Sequence, residues 1–130
     1  MIVLDTHAWI WWINDHPRLN RTLRDRLDSE TDVRVSAISL LEVATAVSVN
    51  RLHLACSTQQ WLELAQCAIG LTIEPITSEL AIASTTLPGE FHRDPADRLI
   101  VALARLLDCE LATADAKMLQ YSHVKTVAAE

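Results

Sequence analysis

The chain has 130 residues, half of them hydrophobic, only two glycines and four prolines, and a formal charge of −6. That length can bury a core without crosslinks, and the scarcity of Gly and Pro argues for a helix-rich globule rather than a disordered chain. The acidity excludes non-specific wrapping of nucleic acid, which needs a broadly basic surface, but it leaves room for clustered carboxylates that hold a cation.

Ile2-Val3-Leu4 is a short β-favouring run without polar alternation, as in a parallel strand covered on both faces. Asp5 closes it, and Asp5 or Thr6 can cap a helix over 8–13. That helix carries Trp9, Trp11 and Trp12, and three tryptophans in four residues predict at least one on the surface, facing a partner. Pro17 is the expected start of a second helix reaching about Asp28, with Leu19, Leu23 and Leu27 facing inward. Arg18, Arg21 and Arg24 run three apart on another face, which reads either as a solvated face paired with Asp25 and Asp28 or as a phosphate contact.

Val33 to Ser36 reads as the second strand. Ser39-x-x-Glu42 matches a capping box, so Glu42 reads either as part of a cap or as a functional acid early in a helix. A helix is expected over 58–68 with Trp61, Leu62, Leu64 and Ile69 in register, then a third strand over 71–75. Ser78 is the expected cap of a helix to Leu87, ended by Pro88-Gly89. Asp94 sits at the N-cap position before Pro95, and Asp97 one turn in, ahead of the apolar stripe Leu99, Ile100, Leu103, Leu106 and Leu107. Here too Asp94-x-x-Asp97 can be read as a variant capping box. Glu110 to Thr113 is the fourth strand, Asp115 precedes a short helical turn, and 124–127 is the last strand.

Three cysteines without a C-x-x-C and five histidines without an H-x-x-x-H pair predict neither a disulfide framework nor structural zinc. No apolar run approaches the roughly 18 residues that span a bilayer. Asp5 interrupts the N-terminal stretch where a secretion signal would be apolar, so the expectation is a cytoplasmic protein without membrane association. Neither repeat nor linker divides the chain, and residues 1–130 read as one domain.

Strands alternating with helices predict parallel strands joined by right-handed crossovers. The functional crevice of such a sheet lies at the carboxyl ends of its strands. Asp5 ends the first strand, Asp115 follows the fourth, and Glu42 and Asp97 open helices at that same edge. Four acids therefore converge on one rim, where hard divalent cations such as Mg²⁺ or Mn²⁺ relieve their mutual repulsion. Such ions support phosphodiester hydrolysis.

The ordered set Ile2-Val3-Leu4-Asp5-Thr6-His7, Ser39-x-x-Glu42, Asp94-Pro95-Ala96-Asp97-Arg98-Leu99-Ile100 and Thr113-x-Asp115 resembles a PIN domain, and among these the VapC toxins of type II toxin–antitoxin systems. The resemblance covers essentially the whole chain. It implies a three-layer α/β fold with a short central parallel sheet of about five strands flanked by helices. It also implies an endoribonuclease whose metal-binding and catalytic acids are Asp5, Glu42, Asp97 and Asp115, with Mg²⁺ or Mn²⁺ as cofactor. Thr6 and Thr113 match hydroxyl positions near the metal, Asp94 is a cap first and a site residue second, and His7 stands where many members carry Asn. A VapB-type antitoxin, an RNA substrate and a toxin homodimer are the implied partners, and the three tryptophans suit an antitoxin groove. The competing readings are a structure-specific DNA nuclease of the same superfamily and a non-catalytic binding module of that fold. A phospho-acceptor receiver is disfavoured because 71–76 offers no acceptor Asp, and a haloacid-dehalogenase-like phosphatase because Asp5-Thr6-His7 lacks the second acid.

Overall fold

Ile2, Val3 and Leu4 are each fully buried and form β1 (Ile2–Leu4), the centre of a five-stranded parallel sheet in a computed structural model describing residues 1–130. The other strands are β2 (Val33–Ser36), β3 (Leu71–Glu74), β4 (Glu110–Thr113) and β5 (Thr126–Ala128), and the spatial order is β3-β2-β1-β4-β5. Ile2 lies opposite Val33 on one side and Glu110 on the other. Seven helices connect the strands: α1 (Thr6–Ile13), α2 (Arg21–Ser29), α3 (Ile38–Ser48), α4 (Thr58–Ala65), α5 (Ser78–Thr85), α6 (Pro95–Leu106) and α7 (Ala116–Gln120).

The two-residue period of a strand sorts the core into two layers. Ile2, Leu4, Val33, Val35 and Ala112 face one side, where Trp9 of α1, Leu23 and Leu27 of α2, Val43 of α3 and Trp61 of α4 cover them. Val3 and Leu111 face the other, against Leu80 of α5, Ile100 to Ala104 of α6 and Met118 of α7. This is the expected three-layer architecture. No helix is long and apolar enough to cross a membrane.

Several local expectations give way to the structure. α2 opens at Arg21, not Pro17, because the Asn20 side chain accepts from Leu23 N–H at 3.0 Å and sets the cap there. Arg18 is thus in the preceding turn, off the helix face shared by Arg21 and Arg24. The predicted partners Asp25 and Asp28 are not used either: Arg24 pairs with Asp15, and Asp28 accepts from Trp12 Nε1. α3 begins two residues earlier than a Ser39 cap requires, at Ile38, with Ala37 at the cap position and no side-chain bond. α4 starts with a reciprocal Ser57–Gln60 capping box and ends at Ala65, which leaves Leu64 and Ile69 71% and 94% exposed instead of in register. Thr77, not Ser78, caps α5.

None of the three neighbouring tryptophans is fully exposed. Trp9 is buried edge-on against Trp61, with ring centroids 5.2 Å apart, Trp11 is buried, and Trp12 is half-buried. α6 is covered on more sides than a single stripe requires, because it packs on α5 and α3 as well as on the sheet. Ala102 is therefore buried, while Leu106 at the far end stays partly exposed.

Gly70 leads into β3 with φ +82°, and its carbonyl accepts from Val33 N–H at 2.8 Å. A Cβ there meets the Glu30 carbonyl oxygen at 2.9 Å. Gly70→Ala is expected to destabilise the chain by about 1–2 kcal/mol, from the left-handed conformation alone, and urea unfolding of the variant checks this. An unchanged midpoint would mean that the β2–β3 edge relaxes freely.

Candidate functional site

The strand order turns around between β1 and β4, and the crevice outside the carboxyl ends of these two strands is where an open parallel sheet accommodates a ligand. Asp5 stands at that point. Its backbone N–H extends the pairing to Ala112 O at 3.1 Å, and its Oδ1 accepts from Ala8 N–H at 2.8 Å, capping α1. Thr113, the last residue of β4, donates its hydroxyl to Asp5 Oδ2 at 2.6 Å and accepts from Asp115 N–H at 3.0 Å. Burial pushes the Asp5 carboxyl above its ordinary range, and the Asp115 charge adds to this, against the opposing bonds from Thr113 and Ala8 and the nearby His7.

Glu42 lies beyond the first turn of α3 and caps nothing. The Thr6 hydroxyl donates to Glu42 Oε1, and Thr6 Oγ1 is 2.8 Å from Ser39 Oγ. Since the Thr6 proton goes to the carboxylate, Ser39 is the donor in the second contact. The Ser39–Thr6–Glu42 relay aims the carboxylate across the crevice from a different layer of the fold. Ser39, read from the sequence as a cap, is instead a fully buried member of this relay.

Asp94 caps α6, accepting from Ala96 N–H at 2.9 Å and Asp97 N–H at 3.2 Å. The reciprocal half of a capping box is missing. Asp94 N–H donates to His92 Nδ1 at 3.4 Å, which leaves Asp97 free to face the crevice. Neutral His92 then carries its proton on Nε2. That buried nitrogen lies 3.0 Å from Asp97 Oδ2 without a well-angled hydrogen bond. Arg98 holds the loop behind this contact by donating to the carbonyls of Ser84, Phe91 and His92. Burial, then the charges of Asp94, Asp115, Glu42 and Asp5, push the Asp97 carboxyl up to about 7.

Asp5, Glu42, Asp97 and Asp115 all line one pocket of about 280 Å³, together with Thr6 and His7. Thr113 sits at its floor through the Asp5 bond, whereas Asp94 stays outside as a cap. A larger hollow of about 910 Å³ beside 84–98 contains none of the four acids. Although the acids share a pocket, no three His, Cys, Asp or Glu side chains are gathered tightly enough to ligate one ion together. Mutual repulsion and prior hydrogen bonds explain the spread: both Asp5 oxygens are occupied, Glu42 is held by Thr6, and Asp115 Oδ1 accepts from Lys117 N–H at 2.7 Å. This all-oxygen set fits Mg²⁺ or Mn²⁺, since Mg²⁺ typically takes only one or two carboxylates and keeps water in its other positions. It does not resemble a closed zinc cage. Arg18 and Trp11 also line the pocket; the sequence offers Arg18 only as one of three arginines on a helix face and Trp11 only as a partner-facing aromatic, not as neighbours of the acids.

A PIN domain family model matches residues 2–124. The chain is 32% identical over 126 residues to Ribonuclease VapC22 of Mycobacterium tuberculosis, covering 97% of this chain and 95% of that protein. Among solved structures, VapBC2 from Rickettsia felis bound to a promoter DNA fragment matches with a TM-score of 0.72 at 19% identity, over 100% of both chains. FitAcB from Neisseria gonorrhoeae matches with a TM-score of 0.68 at 24% identity, over 97% of this chain and 96% of that one.

The Asp97 carboxyl titrates above the roughly 3.9 of an unfolded aspartate, so the native chain binds a proton before the unfolded chain does. Metal-free stability therefore falls as pH rises between about 4 and 7 and is regained on acidification across that window. Asp97→Asn removes one charge of the cluster and is expected to melt higher at pH 7.5 in chelator, by roughly 4 °C for each 1 kcal/mol gained, with a flatter pH profile than the parent. A variant that melts several degrees lower would show that Asp97 stabilises the fold and would contradict the repulsive cluster.

Proposed function

The chain belongs to the PIN-domain family, and from that membership we propose that it is the endoribonuclease toxin of a VapBC-type toxin–antitoxin pair, dependent on Mg²⁺ or Mn²⁺. The observation that carries this reading is the convergence of Asp5, Glu42, Asp97 and Asp115 on one pocket at the switch point of the sheet. A divalent ion held there supplies Lewis acidity to water and to the phosphate oxygens. Asp97, raised to about 7 by burial and its acidic neighbours, shares its oxygen with a proton near neutral pH, and a cation held beside it would take the place of that proton. Ala8 and Thr113 fix the direction of Asp5, and Thr6 with Ser39 fixes Glu42. The carboxylates would thus meet an ion with most of their orientational freedom already lost.

His7 lines the pocket and His92 reaches it only through Asp97, so the groups that converge there are acids suited to a cation rather than a histidine pair facing a ribose 2′-hydroxyl. Water is then the nucleophile. The products carry a 5′-phosphate and a 3′-hydroxyl, and the reaction takes place in the cytoplasm, where the substrate RNA is found.

A groove of about 790 Å³ between α1 and α3 adjoins the pocket. Leu41 and Val49 line it and are 61% and 53% exposed, which suits the apolar anchors of a VapB-type antitoxin. Of the three neighbouring tryptophans, only Trp11 reaches this groove. Exposed Ile82 of α5 and Leu106 of α6 offer a separate apolar face to a second copy of the chain.

Asp5→Asn and Asp97→Asn are each expected to lower RNA cleavage by more than the roughly tenfold to hundredfold seen at outer-shell positions. EDTA abolishes cleavage, and Mg²⁺ or Mn²⁺ restores it. Ligation of the fragments with and without phosphatase or kinase treatment reads the ends. Cyclic phosphate ends, or cleavage that persists in EDTA, would overturn the assignment. For the partner, Leu41→Ala is expected to weaken antitoxin binding, and Trp11 emission is expected to shift on complex formation. Unchanged affinity together with unchanged emission would remove this groove from the interface.

A further inference from the structure

Arg18 is the only arginine or lysine among the residues lining the carboxylate pocket, and it also lines the groove beside it. The turn before α2 carries it there, away from Arg21 and Arg24. Its guanidinium carbon lies 4.7 Å from the Trp11 ring centroid, and Trp11 is in turn stacked on His16, so an aromatic platform orients the fork. Arg18 Nε donates to Glu130 Oε2 at 2.7 Å and its Nη2 to Oε1 at 3.3 Å. Both partners are more than half exposed, and a pair this exposed exchanges readily with other ligands.

A guanidinium fork that accepts a carboxylate in two-point contact accepts a phosphate in the same way. The phosphodiester strand required by the ribonuclease reading carries a charge on every link. A cation among the carboxylates offsets the charge of one link only, and the next link meets an acidic rim. We propose that Arg18 binds a phosphate adjacent to the scissile one, and that the Glu130 carboxylate occupies the same fork in the free protein and yields it to the RNA. Arg18 is then a substrate-binding residue and Glu130 its competitor. The proposal rests on the ribonuclease reading of the pocket.

The test uses the full chain with Mg²⁺ and a fluorescent single-stranded RNA of random sequence, comparing KM, kcat and their salt dependence. Arg18→Ala is expected to raise KM by about tenfold or more, the loss of a charge-assisted bond, with a shallower salt dependence of kcat/KM. Arg18→Lys restores part of the loss as a point charge without the fork. Arg21, exposed on α2 and lining neither cavity, is the control, and Arg21→Ala leaves KM unchanged. Glu130→Gln separates substrate binding from mere tethering. If the pair only ties down the chain, both substitutions raise KM together. If Glu130 competes with RNA, Glu130→Gln leaves KM unchanged or lowers it. Arg18→Ala with KM within twofold of the parent, or Glu130→Gln raising KM as Arg18→Ala does, overturns the role of Arg18 while the ribonuclease reading stands. No cleavage by the unsubstituted chain with Mg²⁺ or Mn²⁺ overturns that reading, and this proposal with it.

Discussion

The hydrogen bond from Thr113 to Asp5 joins two strands whose residues are 108 positions apart, at the one place where the strand order of the sheet turns around. Between β1 and β4 the following helices, α1 and α7, leave on opposite faces of the sheet. The gap that remains is polar and deep, and Asp5 lines it with almost no access to water. An isolated buried carboxylate is costly, but Asp5 has a donor for each oxygen, one from the turn it caps and one from the neighbouring strand. The rest of the site is arranged around this carboxylate. Asp115 is placed by the hydroxyl that bonds Asp5, and α3 and α6 bring Glu42 and Asp97 over the top.

Capping and function coincide at some of these acids and part at others. Asp5 and Asp115 are true N-caps that also line the pocket, so capping and a place at the candidate site do not exclude one another. Asp94 is a cap alone. Asp97 and Glu42 cap nothing, and the repulsion they add is not compensated within their own helices. This separation shows where the fold gives up stability for charge density: burial and four neighbouring carboxylates raise Asp97, while the Thr113 hydroxyl and the Ala8 amide oppose the rise at Asp5. A cation bound to a cluster arranged this way would relieve that repulsion.

The strand sequence, the alternation with helices and the rim on which the acids meet were legible because each rests on a local signal: β1 has no polar alternation, and Pro95 behind Asp94 marks a helix start. Failures came where two local signals competed or where the signal was tertiary. Pro17 and Asn20 both suit a helix start, and only the Asn20 side chain finds Leu23 N–H in the folded chain. Ser39 and Glu42 have the spacing of a cap, but α3 starts two residues earlier, with its cap position at Ala37, whose N–H is held by Glu74 O of the neighbouring strand. Nothing in the local sequence announces that Ser39 will meet Thr6. The tryptophans misled for a related reason: a lone helix cannot bury three, but Trp61 of α4 and the turn after α1 enclose two of them between layers.

An overall charge of −6 and a polyanionic substrate are reconciled by segregation rather than by balance. The groove between α1 and α3 is lined by Arg18, Arg51, His7, His16 and His53, and its only acid is Glu42 at the boundary with the pocket. A strand of RNA laid along it would meet donors and cations up to the point where the carboxylates begin, and there the acids would oppose its phosphates unless a cation offset them. Within about a Debye length, roughly 8 Å at physiological salt, the local field outweighs the distant acids on the outer helices. Without the ion, the pocket repels the phosphate that the groove attracts. In the proposed function, a cation among the acids would therefore serve the approach of the substrate as well as the chemistry that follows.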